Sequence, residues 1–250
     1  AFGSTESAVA TLEVVTTLEQ GLLAYYPLDG NASDMSGNGN HGAISGVTFG
    51  VDQKGIPNKS GNFDGIDDEV DLGNGANLNP VDGLSISAWI MPQETGRYMP
   101  IVERYSPSDA KRGYTFSLSD VGEPCFAIYH GVPSSSNTYV VSDESLQLGR
   151  WHFVVGSYGK NIGGHLYLNG HLNSFEEGNQ TIYQTNELTT ISGVVNSSHK
   201  FFNGSINDVR IYDRALSAAE VQALYSFGSG ETTTSTTSGG TTIVGGQVAA

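Results

Sequence analysis

The sequence predicts an all-β protein built as a two-sheet antiparallel sandwich, with one short C-terminal helix and an extended arm at each terminus. Three observations support this. The 250 residues include 33 glycines but three methionines, which favours short strands joined by tight turns. Segments of alternating apolar and polar residues recur over about 200 residues, a spacing typical of β-sandwiches. One segment near the C-terminal end has the spacing and capping residues of a helix.

The N-terminal arm, residues 1–20, is predicted to contain a strand. Its stretch TLEVVTTLE alternates, and one side of the chain carries Leu12, Val14, Thr16 and Leu18. A period of two indicates a strand with one buried face. We therefore expect these four residues to form an arm that can add to a sheet.

The body, residues 21–228, contains most of the predicted strands. In SISAWIMP, the residues Ile86, Ala88 and Ile90 lie on one face of an extended chain. The stretch HLYLNGHLNSF predicts a hairpin around Asn169-Gly170, a pair that accepts the positive φ of a type I′ turn. The opening stretch GLLAYYPL and the late stretch GSINDVRIYD complete the pattern of strands.

The sequence predicts one helix, over LSAAEVQALY. Ser217 and Glu220 have the spacing of a capping box, in which each side chain bonds the other residue's backbone. Val221 and Leu224 then lie on one face. The body is therefore predicted to end with a short helix.

Charge and cysteine content exclude several kinds of protein. The formal net charge is −15, with 11 Lys and Arg residues, so the phosphate backbone of a nucleic acid would be repelled and cations suit the surface better. A single cysteine, Cys125, excludes a disulfide framework and is expected to be a buried apolar residue. No stretch has the roughly 18 consecutive apolar residues of a membrane span.

The third segment, residues 229–250, is a tail rich in Thr, Ser and Gly. That composition is typical of flexible linkers and of stalks carrying O-linked sugars. Candidate glycosylation positions are Thr232, Thr233, Thr234, Ser235, Thr236 and Thr237. The later part, TTIVGGQVA, is predicted to form a short strand. The first residue is Ala rather than Met, which favours a mature secreted form, and we expect an extracellular location.

Several stretches, read in order, resemble one known family. LLAYYPLDGNASDMSGNGNHGA, GNFDGIDDEVDLG, GRWHFVVGSYG and FNGSINDVRIYDRALSAAEVQALY are similar to the laminin G-like, concanavalin A-like jelly-roll family, especially its bacterial secreted branch. The resemblance extends over residues 22–225. It implies two antiparallel sheets of six or seven strands arranged as a jelly roll.

The resemblance also implies a structural Ca²⁺ ion. Carried onto this sequence, its ligands are Asp29, Asn31, the backbone carbonyl of Gly42, and Asp208, with Asp34 as a further candidate. Carboxylates and turn carbonyls are the oxygen ligands that calcium prefers. The alternative is that the aspartates cap turns through their own backbone.

A second acidic stretch, DGIDDEVD, runs from Asp64 to Asp71. Its carboxylates are Asp64, Asp67, Asp68, Glu69 and Asp71, and we interpret it as a solvated hairpin turn rather than a metal site.

Catalytic motifs of the same fold are incomplete here. The family that the sequence resembles includes glycoside hydrolases, which carry catalytic carboxylates on one strand. In this sequence Glu69 and Asp71 are followed by Gly73, at the position where those enzymes require a second Glu. His130 lacks the Gln-x-His context of the polysaccharide lyases. We therefore predict a non-enzymatic protein.

Two functions remain open. The first hypothesis is an extracellular structural subunit that binds copies of itself head to tail, because terminal strands can add to the sheet edge of a neighbour. The alternative is a Ca²⁺-dependent carbohydrate-binding module. For that alternative the candidate aromatic residues, all in loop-rich stretches, are Tyr98, Tyr105, Tyr129 and Tyr139. Core packing is the competing explanation for these rings.

Overall fold

The computed structural model of the chain describes residues 18–106, 111–131, 136–193, 201–230, 234–237 and 240–243. Seventeen strands are present in these ranges. In chain order they are β1 (Leu22–Tyr26), β2 (Ala43–Ser45), β3 (Thr48–Gly50), β4 (Ser60–Asp64), β5 (Glu69–Asp71), β6 (Gly83–Pro92), β7 (Met99–Ser106), β8 (Lys111–Leu118), β9 (Pro124–Tyr129), β10 (Asn137–Val141), β11 (His152–Gly159), β12 (Gly163–Leu168), β13 (His171–Glu176), β14 (Thr189–Ile191), β15 (Asn203–Tyr212), β16 (Thr234–Thr237) and β17 (Gly240–Ile243).

The strands form two large antiparallel sheets. We call the first the eight-stranded sheet, with the order β13-β12-β11-β6-β15-β4-β3 and β1 paired to β15. The second, the seven-stranded sheet, has the order β10-β9-β8-β7-β14-β5-β2. Apolar side chains from both sheets meet in one core. The predicted two-sheet jelly-roll sandwich is confirmed, although one sheet has eight strands rather than the expected six or seven.

Strand β6 shows why the predicted alternation holds. Ile86, Ala88 and Ile90 are fully buried in the core between the sheets. Trp89 points to the opposite face, because successive side chains of a strand alternate. Both faces of this strand are therefore buried, one by the partner sheet and one by a helix.

That helix, α1, spans Ala218–Ser229 and covers the outer face of the eight-stranded sheet. The predicted capping box of Ser217 and Glu220 is present, and the helix ends at Gly230 in the left-handed conformation. The helix is longer than the predicted LSAAEVQALY stretch. Gly228 allows its last turn to lie directly on the indole of Trp89, where a Cβ would come within 2.2 Å of Nε1.

Glu220 also links this helix to the start of the body. Its carboxylate accepts hydrogen bonds from Arg214 Nη2 at 2.6 Å and from the Ser217 backbone N–H at 2.9 Å. Arg214 in turn donates to the Gln20 carbonyl. Burial alone would raise the pKa of Glu220, but these hydrogen bonds outweigh it and lower the pKa to about 2.

Two predicted turns had different outcomes. The hairpin at Asn169-Gly170 is confirmed, with φ values of 50° and 84°. The acidic stretch is not a hairpin turn, because β4 belongs to the eight-stranded sheet and β5 to the seven-stranded sheet. Nor is it solvated throughout, since Asp68 is buried and accepts a hydrogen bond from the Asp64 backbone N–H.

The terminal segments are described in part. In the tail, β16 and β17 pair with each other as a separate two-stranded sheet. In the arm, Leu18 packs against the cluster beneath α1, whereas Leu12, Val14 and Thr16 lie outside the described residues. Of the described residues, none belongs to a helix long and apolar enough to cross a membrane.

Candidate functional site

The outer face of the seven-stranded sheet differs from the face beneath α1. Along β8 and β9, Tyr114, Phe116, Phe126 and Ile128 point into the core. The intervening residues point outward, because side chains alternate along a strand. The helix α1 packs against the other sheet, so it does not cover these outward side chains.

Four tyrosines meet on this outer face. They line a groove with a volume of about 320 Å³, together with an arginine, two hydroxyl residues and an amide. We call it the tyrosine groove, and its described residues are Tyr98, Tyr105, Arg112, Thr115, Ser117, Tyr129, Asn137 and Tyr139.

The structure therefore brings together the four tyrosines singled out from the sequence. Their expected location was wrong, however. Tyr105, Tyr129 and Tyr139 lie on strands β7, β9 and β10, and Tyr98 immediately precedes β7, so these rings are fixed by the sheet rather than by loops.

The polar residues of the groove were missed from the sequence. Thr115 and Ser117 alternate with core residues along β8. This period of two is visible in the sequence and could have identified them as outward-facing residues. Arg112 gave no such signal. It lies opposite Tyr105 because the pairing of β7 and β8 shifts register between Arg104 and Tyr105, and such bulges are not read from alternation alone.

Arg112 contacts two tyrosine rings. Its guanidinium carbon lies 4.6 Å from the ring centre of Tyr105 and 5.3 Å from that of Tyr129. Its terminal nitrogens donate to the hydroxyl oxygens of the same two residues, at 3.1 and 3.4 Å. Burial, the largest single influence, opposes the charged form, but the hydrogen bonds and electrostatic interactions with Tyr129 and Tyr105 together outweigh it and raise the pKa of Arg112. The side chain is therefore charged and preorganised.

Two further tyrosines define the sides of the groove. The Tyr98 hydroxyl donates to Glu103 Oε1. Burial, and next to it the negative charge of Glu103, raise the pKa of Tyr98 well above its usual value. Tyr139 lies on the edge strand β10 and is 50% exposed. Ala127, opposite both Thr115 and Tyr139 in the ladder, provides only a methyl group between them.

This combination suits a ligand with both apolar faces and hydroxyl groups. Aromatic rings offer flat contact surfaces, and the hydroxyl, amide and guanidinium groups supply hydrogen bonds. The groove volume falls at the small end of the range for ligand pockets, about 300–1,000 Å³. A larger depression of about 620 Å³ near Asn161 and Glu177 has no aromatic ring among its described residues.

The predicted calcium ligands are engaged with protein groups. Asp29 pairs with Lys59 Nζ at 2.8 Å. Asp208 is buried and pairs with Arg210 at 2.8 Å, and that guanidinium lies over the ring of Tyr25 at 4.0 Å. Two cationic side chains therefore already neutralise the two predicted carboxylate ligands.

Asp34 acts instead as a backbone cap. Its carboxylate accepts hydrogen bonds from the backbone N–H groups of Tyr25, Ser36 and Asn40 at 2.9–3.0 Å. Burial alone would raise the pKa of Asp34, but these bonds lower it. The loop is thereby tied to β1 in the manner of the capping alternative.

The other two predicted ligands are a side-chain amide and a backbone carbonyl. Asn31 Oδ1 accepts from the Ser33 backbone N–H, and Gly42 packs against Val70 and Leu72. Across the described residues, the acidic, His and Cys side chains form one group of three that could hold an ion, and it consists of Asp64, Asp67 and Asp68. The protein groups that bond these ligands compete with a calcium ion for them, and calcium binding by the predicted set stays a prediction.

The other predicted residues have no shared site. Glu69 and Asp71 lie on β5, and the ring nitrogens of His130 contact the Thr181 carbonyl and the Thr138 hydroxyl.

Cys125 is buried, as expected. The candidate glycosylation positions from 234 to 237 form β16, and Thr232 and Thr233 lie outside the described residues.

Similar solved structures have been determined for bacterial binding domains. The binding domain of Paraclostridial Mosquitocidal Protein 1 is 17% identical with a TM-score of 0.68, over 83% of this chain and 52% of that one. The receptor binding domain of botulinum neurotoxin D is 16% identical with a TM-score of 0.63, over 84% and 53%. This chain therefore spans about half the length of these toxin domains.

A third structure matches along nearly its whole length. Domain 4 of AbnA, an extracellular arabinanase of family GH43 from Geobacillus stearothermophilus solved with arabinotriose, is 19% identical with a TM-score of 0.63, over 82% of this chain and 98% of that one. At such identities the likeness shows the fold alone. A comparison with curated protein sequences returned no match.

A family model matches residues 63–222, from β4 into α1, which is more than half of the chain. The matched region includes every residue of the tyrosine groove and most of both sheets. The chain belongs to the concanavalin A-like lectin/glucanase superfamily.

Proposed function

We propose that this protein is a non-enzymatic extracellular module that binds an oligosaccharide in the tyrosine groove. The observation that carries the proposal is the convergence of four tyrosines with Arg112, Thr115, Ser117 and Asn137 on a sheet face that α1 leaves uncovered. Sugar rings present C–H faces that pack on tyrosine, and their hydroxyl groups match the polar residues between the rings. The likeness to a domain solved with arabinotriose supports this function.

Strand placement supports binding without catalysis. Tyr105, Tyr129 and Tyr139 project from strands of one sheet, so little ordering of loops is needed before a ligand binds, which limits the entropic cost. Glu103, next to the groove, is 1% exposed and bonded by Tyr98. Glycoside hydrolysis uses a pair of carboxyl groups that flank the sugar bond, whereas no carboxylate is among the described residues that line the groove.

Affinity electrophoresis tests this function. The wild type and the variant Tyr139→Ala are run through gels that contain arabinan, arabinoxylan, polygalacturonate or methyl-esterified pectin. We expect at least one polysaccharide to retard the wild type and the retardation to be lost in the variant. The matched control is Phe175→Ala, which removes a 64% exposed ring from β13 of the other sheet and should migrate like the wild type. Migration unaffected by every polysaccharide, or by the loss of Tyr139, would contradict the proposal.

Head-to-tail assembly by strand exchange stays a prediction. Of the arm residues that would be donated, Leu18 is described, and it packs on its own domain. The described strands of the tail pair with each other. Deletion of residues 1–20 followed by light scattering tests the hypothesis, which requires the full chain to form larger particles than the truncated one.

A further inference from the structure

We infer that the tyrosine groove selects acidic oligosaccharides, and that Arg112 binds the carboxylate of a uronic acid unit. This inference rests on the proposed function. Of the eight described residues that line the groove, Arg112 is the only one with a formal charge. A neutral sugar would be served by the tyrosines, hydroxyls and amide alone, so the charged residue at this position indicates an anionic group on the ligand.

The charge of Arg112 acts locally. The whole chain carries a net charge of −15, so an anionic ligand is not attracted from a distance. Charges separated by more than about 8 Å are largely screened at physiological salt, which leaves the contact with the guanidinium as the dominant electrostatic interaction. The nearby carboxylate of Glu103 is buried beside Tyr98 and is not among the lining residues.

The guanidinium is already in position for a ligand. Cation–π contacts and hydrogen bonds to Tyr105 and Tyr129 fix its plane. A preorganised arginine loses little side-chain entropy when it binds, and its planar group matches a carboxylate with two parallel hydrogen bonds.

Arg112 also has hydrogen-bonding capacity left. Two of its five N–H groups donate to tyrosine hydroxyls, and the Nε–H is buried. One N–H on each terminal nitrogen is left for a ligand. A carboxylate in the groove would accept from these N–H groups and share the positive charge, which a sugar hydroxyl does less well because it is neutral.

Matched acidic and neutral ligands test the inference by calorimetric titration. The probes are fragments of polygalacturonate, alginate and glucuronoxylan, each paired with its methyl-esterified form, in 0.15 M salt. We expect the wild type to bind at least one acid about ten-fold or more tightly than its ester. In Arg112→Gln the ratio should fall to about one, and in Arg112→Lys it should be intermediate, because the charge stays and the bidentate geometry is lost.

Controls keep the outcomes distinct. Arg150→Gln, at an exposed loop position outside the groove, should keep the wild-type ratio. If Arg112→Gln fails to fold, the ester comparison on the wild type and the Lys variant decide. Equal affinity for acids and esters, a ratio that survives Arg112→Gln, or binding of sulfated galactan in preference to every uronate would overturn the inference while leaving carbohydrate binding intact. No binding of these probes or of arabinotriose would overturn the proposed function itself.

Discussion

The outer faces of the two sheets are both rich in aromatic residues, yet they are used differently. On the eight-stranded sheet, Trp89 and Phe153 pack with Tyr225 of the covering helix at ring distances of 5.3–6.0 Å. On the seven-stranded sheet, Tyr105 and Tyr129 surround a charged arginine in an open groove. Aromatic content alone therefore does not distinguish a packing face from a binding face. The distinction lies in the hydrogen-bonding groups between the rings and in whether a helix covers them.

The two faces should differ most in how much unfolding free energy is lost when an aromatic ring is removed from each. Phe153→Ala removes a fully buried ring and should lower the free energy of unfolding by about 3–5 kcal/mol. Tyr139→Ala removes a half-exposed ring from an edge strand and should cost less than about 1 kcal/mol. Urea unfolding of both variants measures the comparison. Equal losses would show that the open face is also a packing surface.

The attachment of the covering helix should depend on pH through Glu220. Because its pKa is lowered to about 2 from an ordinary value of 4.5, its contribution is fully present above pH 4.5 and is lost as the pH falls towards 2. A pKa shift of this size corresponds to a contribution to the free energy of unfolding on the order of 3 kcal/mol. Glu220→Gln should lower stability by a comparable amount at pH 7.

Urea unfolding between pH 7 and pH 2 measures this prediction. The variant should show a smaller loss of stability below pH 4.5 than the wild type. A matched control is Glu177→Gln, because Glu177 is an exposed carboxylate away from the helix. Parallel pH profiles for the wild type and Glu220→Gln would contradict the assigned role.

The smallest effect is expected from calcium removal. Lys59 and Arg210 already neutralise Asp29 and Asp208, and three backbone N–H groups satisfy Asp34. We therefore expect EDTA to change the Tm by no more than about 1 °C. A fall of several degrees that Ca²⁺ reverses would instead establish the metal site that the family resemblance implies.

The sequence predicted the sheets better than the site. Alternation placed Ile86 and Ile90 in the core because burial on one face imposes a period of two. The groove depends on which strands become neighbours and on the register shift that sets Tyr105 opposite Arg112. These are long-range pairings, and local patterns do not encode them. For the same reason the acidic stretch was interpreted as a hairpin although it connects the two sheets.

Amide NMR titration can locate carbohydrate binding on the outer face of the seven-stranded sheet. Labelled protein is titrated with arabinotriose and with trigalacturonate. We expect the signals of β7–β10 to shift with increasing ligand, and the signals of β13 and α1 to stay in place. Shifts confined to the eight-stranded sheet and its helix, or no shifts with either sugar at millimolar concentration, would show that the tyrosine groove is not a carbohydrate site.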